Sequence, residues 1–172
     1  GGFRLEGREG PIREVRALRT RASPEALFRS FASLGGERGW LVWNWAWALR
    51  GFLDRLLGGP GLRRGRRHPT ELLPGEAVDF WRVEAVEPPR LLRLRAEMRL
   101  PGRAWLEWEA REAEGGSLLV QTAYFEPKGL TGFLYWWALY PIHRRIFSDL
   151  ARAIVREAEA QAEAPPRGGG AG

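Results

Sequence analysis

This chain predicts an α+β fold in which a curved antiparallel sheet wraps around a long C-terminal helix. Between residues 77 and 127 the sequence shows four apolar-alternating segments, punctuated by Pro88-Pro89, Pro101-Gly102 and Gly115-Gly116. That is the pattern of antiparallel strands joined by tight turns, with one face buried. From Leu130 to about Ala162, Phe133, Trp136, Trp137, Tyr140, Phe147, Leu150 and Ile154 fall on one helical stripe. Neither stripe can stay in water, so sheet and helix must pair, enclosing space between them. The 172 residues suit a single domain.

The elements follow in order. Residues 1–12 read as a tail or linker before a domain spanning 13–162, and 163–172, rich in Gly and Pro, as a disordered tail. A first strand is expected over 13–22, with Val15, Ala17 and Leu18 between arginines. Ser23 and Pro24 then mark a helix start, with Leu27, Phe28 and Phe31 as its apolar stripe. Trp40 to Trp43 suit a short strand. Trp45 to Leu57 read as an inserted Trp-rich helix, stopped at Gly58-Gly59-Pro60, that lies over one end of the sheet as a lid. Residues 60–76 form a basic loop. The meander strands are expected over 77–86, 91–100, 104–112 and 117–127, and Pro141 should kink or break the final helix.

Composition narrows the chemistry. The chain has no cysteine, which excludes disulfides and thiolate chemistry. Its two histidines, His68 and His143, are far apart, so no metal site is expected. A net charge of +6 comes almost wholly from arginine, Lys128 being the one lysine. This is a mild pull toward anions, and nucleic acid is not an expected partner. The start lacks an apolar signal segment, and no uncharged apolar run reaches membrane-spanning length. A cytoplasmic protein is expected.

Nine tryptophans, four of them between positions 40 and 47, can fill the core between helices and sheet, or some can line a ligand cavity. Trp43, Trp81, Trp108 and either Trp136 or Trp137 are candidates to line a ligand cavity of ~300–1,000 Å³, since indole offers apolar surface and one donor. Met98, Tyr124, Trp137 and Tyr140 complete the expected lining. Asp79 and His143 are the polar handles, although no catalytic pair can be fixed from spacing. Glu107 and Glu109 should face solvent. Arg63, Arg64, Arg66 and Arg67 place four guanidiniums together as a candidate anion site.

Two stretches, "GLRRGRRHPTELLPGEAVDFWRVEAVEPPRLLRLRAEMRLPGRAWLEWEA" and "QTAYFEPKGLTGFLYWWALYPIHRRIF", resemble a family of uncharacterised function within the SRPBCC (START-like, polyketide-cyclase-like) superfamily. The resemblance covers residues 13–155 and is most specific over 61–108. It implies a helix-grip fold with an apolar cavity for a lipid-like or aromatic molecule, and no shared catalytic residue. It also implies a neighbouring NAD(P)-binding, dehydrogenase-like domain, and the missing initiator methionine fits a domain cut from such a protein. No Gly-x-Gly-x-x-Gly follows a strand here, so no dinucleotide or other cofactor is expected on this chain itself. The function expected is an apolar small-molecule binding domain, accessory to an NAD(P)-dependent oxidoreductase. The alternatives are a cyclase or dehydratase acting in the cavity, and a peripheral membrane or lipid-transfer protein, with membrane the least expected partner.

Overall fold

The computed structural model describes residues 12–34, 71–78, 81–96 and 102–163, with Leu49, Phe52, Leu56 and His68 between them. Six strands form one antiparallel sheet: β1 (Ile12–Thr20), β2 (Ala77–Val78), β3 (Trp81–Glu87), β4 (Leu91–Ala96), β5 (Gly102–Ala113) and β6 (Gly116–Pro127). Their order is β1-β6-β5-β4-β3-β2, so the first strand closes beside the last and leaves β1 and β2 at the edges. Among the described residues, two helices cover the inner face: α1 (Pro24–Ala32) and α2 (Gly129–Glu163).

Local chemistry sets these elements. Ser23 caps α1 by accepting a hydrogen bond from the Ala26 N–H at 3.1 Å, and Pro24 opens the first turn where no N–H is needed. Gly115, at φ +77°, allows the chain to reverse between β5 and β6 within two residues. Its neighbour Gly116 must stay bare for another reason. A Cβ there would sit 2.1 Å from the carbonyl oxygen of Thr20 on the adjoining strand.

Three expectations about the elements need correction. The segment 77–86 is not one strand: β2 turns back on β3, pairing Val78 with Trp81 and Ala77 with Arg82. Alternation continues across so tight a reversal, so the pattern could not expose it. Pro141 neither breaks nor ends the last helix, which runs through it for 35 residues. One lost hydrogen bond at an exposed position is outweighed by the apolar face that α2 buries beyond it, at Ile146, Leu150 and Ile154. Leu49, Phe52 and Leu56 are helical but are 51%, 57% and 67% exposed, which is not how a lid over the sheet would present them. Helical spacing groups these side chains on one face without fixing which way that face turns.

The core lies between the inner face of the sheet and the two helices. Leu92, Leu106, Trp108, Ala110 and Leu119 of the sheet meet Leu27, Phe31 and Leu34 from the α1 region, and Leu150, Ile154 and Ala158 of α2. The Trp108 ring stacks on Phe31 at 6.2 Å with the planes 16° apart. A register shift between Val83 and Ala85 interrupts β3, and such an irregularity bends a strand locally.

Edge strand β1 reverses its expected facing. Val15 and Ala17 point outward and are exposed, whereas Glu14, Arg16 and Leu18 share the inner side, opposite Ala123, Gln121 and Leu119. Inward charges on an edge strand oppose pairing with a second chain. The two charges are ion-paired at 2.6 Å.

Candidate functional site

The two ends of the inner face are built differently. Toward α1, large side chains fill the space: Trp108 pairs across strands with Leu92 and Gln121, and all three are buried. Toward the first half of α2 small inward positions alternate with large ones. Trp81 pairs with Ala96, Ala104 pairs with Phe125, and Leu106 with Ala123. Ala96 and Ala104 remain partly accessible. Alanine reaches no further than its Cβ, so these positions contribute little toward the opposing helix. From α2, Tyr135 lays its ring 6.1 Å from Phe125.

A polar bridge marks the boundary between these ends. The Trp108 indole N–H donates to Gln121 Oε1 at 2.8 Å, and Gln121 Nε2 donates to the main-chain oxygen of Phe147 at 2.8 Å. This satisfies a buried amide and ties the sheet to the middle of α2. His143, one turn before Phe147, is buried with its ring 5.8 Å from that phenyl group. An imidazole and an amide thus sit where the filled end meets the small-residue end. Such groups can orient a ligand's hydroxyl or carbonyl, and the imidazole can exchange a proton.

Several predicted site residues are placed here and others elsewhere. Trp81, Trp108 and His143 are buried, and Tyr140 is half-buried on α2. Trp108 is fully buried against Phe31, a core ring whose N–H is already engaged. Trp137 does not face the sheet. It is 75% exposed: at about 100° per residue it lies roughly 60° round the helix from Tyr140 and roughly 120° from His143. Tyr124 lies on the outer face, opposite Trp105, since alternation along β6 puts it out of phase with Gln121 and Ala123. Trp43, Asp79, Met98, Arg63, Arg64, Arg66 and Arg67 lie outside the described residues. Gln121 was missed, although a polar residue at an inward position between Leu119 and Ala123 is a readable signal.

The outer face carries a charge network in place of the solvated row expected there. Arg93 is 1% exposed and pairs at 2.6 Å with Glu107, its direct partner on the next strand. Glu84 accepts a hydrogen bond from the Trp105 indole at 2.8 Å. The Glu107 side chain is therefore largely covered and does not face solvent. Cross-strand register creates this pair, which no single strand reveals. Burial, followed by the nearby Glu107 charge, raises the Tyr124 pKa above its ordinary value.

Among the described residues, no group of three or more His, Asp or Glu side chains could hold a metal ion. No helix among them is long and apolar enough to cross a membrane.

This sheet, closed on a single long C-terminal helix, is the helix-grip fold of the SRPBCC superfamily. The chain belongs to the family described as Protein of unknown function (DUF2867), whose model matches residues 10–150. Similar solved structures share the fold at low identity. Ara h 8.0201 is 14% identical, with 88% of this chain and 99% of that one covered and a TM-score of 0.51. Truncated norcoclaurine synthase from Thalictrum flavum is 12% identical, with 92% and 99% covered and a TM-score of 0.52. The di-domain ARO/CYC StfQ from the steffimycin biosynthetic pathway is 12% identical, with 90% and 52% covered and a TM-score of 0.54. No curated protein matches the chain.

Proposed function

We propose that this protein binds an apolar small molecule, lipid-like or aromatic, between the first half of α2 and the small-residue end of the sheet. The observation that carries the reading is the contrast between the two ends of one inner face. One is filled by Trp108, Leu92 and Phe31, and the other sets Ala96, Ala104 and Ala123 opposite Trp81, Phe125 and Leu106, with Ala96 and Ala104 partly accessible. Trp81 and Phe125 would flank the ligand, with Tyr140 and His143 reaching it from α2. Gln121, already committed to Trp108 and Phe147, would close the inner end. The fold shared with norcoclaurine synthase and with the ARO/CYC protein StfQ makes a ring-bearing ligand the first to try.

Titration of the protein with a hydroxylated polycyclic aromatic, a long-chain fatty acid and a sterol, followed by tryptophan fluorescence and melting temperature, tests the reading. One class should quench fluorescence saturably and raise the melting temperature by mass action. No response to any class would defeat it. Service to an NAD(P)-dependent oxidoreductase is the finer form of the proposal. It predicts that the ligand is a substrate or product of hydride transfer.

A second reading, a cyclase or dehydratase, is favoured by one observation, the burial of His143 beside the small-residue end. It requires His143→Gln to abolish turnover of a bound polyketide-like substrate while leaving its affinity within about threefold. Unchanged turnover in that variant would exclude it.

A further inference from the structure

Outside the grip, α2 and edge strand β1 border a cleft of about 500 Å³ lined by Arg16, Arg144, Arg145, Ser148, Asp149 and Arg152. Four guanidiniums meet one carboxylate there. The helix brings three of them together: Arg145 and Arg152 recur with Ser148 at three and four on one side of α2, and Arg144 flanks them. That side is opposite Ile146, Leu150 and Ile154, which are held in the core. Arg144, Arg145 and Arg152 are accordingly exposed.

The fourth guanidinium comes from the sheet and is fixed. Arg16 Nη2 donates to Glu14 Oε1 at 2.6 Å and to the main-chain oxygen of Arg144 at 3.3 Å, which joins β1 to the helical turn that carries the other arginines. Asp149 lies 3.9 Å from Arg152. Among the described residues, neither Arg144 nor Arg145 has a carboxylate partner. Like charges crowded in this way repel one another, and an anion that enters the cleft relieves the repulsion.

We propose that this cleft binds a phosphate-bearing ligand, at a site separate from the interior of the grip. Guanidinium forks match phosphate oxygens bidentately, and the Ser148 hydroxyl adds a donor. Arg144 and Arg152 are separated by about 12 Å along the helix axis, which suits a diphosphate better than a single phosphate. Leu130, Leu134 and Trp137 continue the same side of α2 toward its start and are 75%, 62% and 75% exposed. The phosphate is therefore that of a soluble diphosphate or of a lipid headgroup with the apolar stripe against its chains.

Calorimetric titration with inorganic pyrophosphate at about 50 mM salt is one arm of the test. Co-sedimentation with phosphatidylcholine vesicles, with and without phosphatidylglycerol, is the other. The Arg145→Glu, Arg152→Glu pair is compared with Arg13→Glu, Arg19→Glu, which makes the same charge change on the outward side of β1. Saturable pyrophosphate binding, weakened at least about tenfold by the cleft pair and no more than about twofold by the control pair, assigns a soluble phosphate. Sedimentation that needs phosphatidylglycerol and is lost only in the cleft pair assigns a headgroup. An Arg144→Gln, Arg145→Gln pair should weaken binding in the same direction with a smaller change of charge. Binding in neither arm, or equal loss from cleft and control pairs, overturns the proposal.

Discussion

Trp108 is a residue whose size could be read from the sequence while its partners could not. Its place on an apolar-alternating strand implied burial, and the structure packs it against Phe31 and occupies its N–H with Gln121. Trp108→Ala should cost about 3–5 kcal/mol in denaturant unfolding, the range for a large ring lost from a close-packed core. A cost below about 1 kcal/mol would mean that the ring borders open space. Tyr124 was misplaced for a related reason. Chemistry suggested a cavity tyrosine, whereas the phase of β6 puts it on the outer face beside Glu107. Its raised pKa makes ionisation harder in the folded state than in the unfolded one. Its contribution to stability is therefore whole below the ordinary tyrosine pKa near 10 and lost as pH rises through the higher folded value. In a spectrophotometric titration, Tyr124→Phe should remove a phenolate that forms above the ordinary tyrosine range. Loss of a transition at or below that range would contradict this assignment.

Element types were legible wherever hydrophobic period and punctuation agreed. Ser23-Pro24 opened α1, Gly115 turned β5 into β6, and the long apolar stripe became α2. Legibility ended where tertiary context decides. A two-strand reversal preserves alternation, so β2 and β3 read as one strand. A proline's local cost does not say whether burial along the helix exceeds it, so the choice between a kink and a break at Pro141 stayed open. That cost remains measurable. Pro141 is exposed within a continuous helix, and Pro141→Ala should stabilise the fold by about 1–3 kcal/mol by restoring a helical N–H and removing the ring's clash. Unchanged or lower stability in chemical denaturation would show that α2 depends on the bend a proline imposes. Inward-facing Glu14 and Arg16 were illegible for the opposite reason. Alternation on β1 favoured Val15 and Ala17, but the edge position reverses the usual preference.

At the scale of the whole molecule, the proposed function separates two tasks along one sheet. The end under α1 and the second half of α2 carries the packing. The end under the first half of α2, where Ala96 and Ala104 are partly accessible, is where the proposed ligand would lie. The need for a sheet and helix to share a core was evident from pattern alone. The division between ends was not, because it depends on which cross-strand neighbours meet: Trp81 with Ala96, and Ala104 with Phe125. Filling the small-residue end tests this account most directly. Ala104 is partly accessible, so Ala104→Leu should leave the melting temperature of the free protein within about 2 °C. The rise in melting temperature that an apolar ligand produces in the parent protein should disappear in this variant. An undiminished ligand-induced rise in Ala104→Leu would contradict the account. So would a free-protein melting temperature lowered by about 5 °C or more, as overpacking of a closed core would produce.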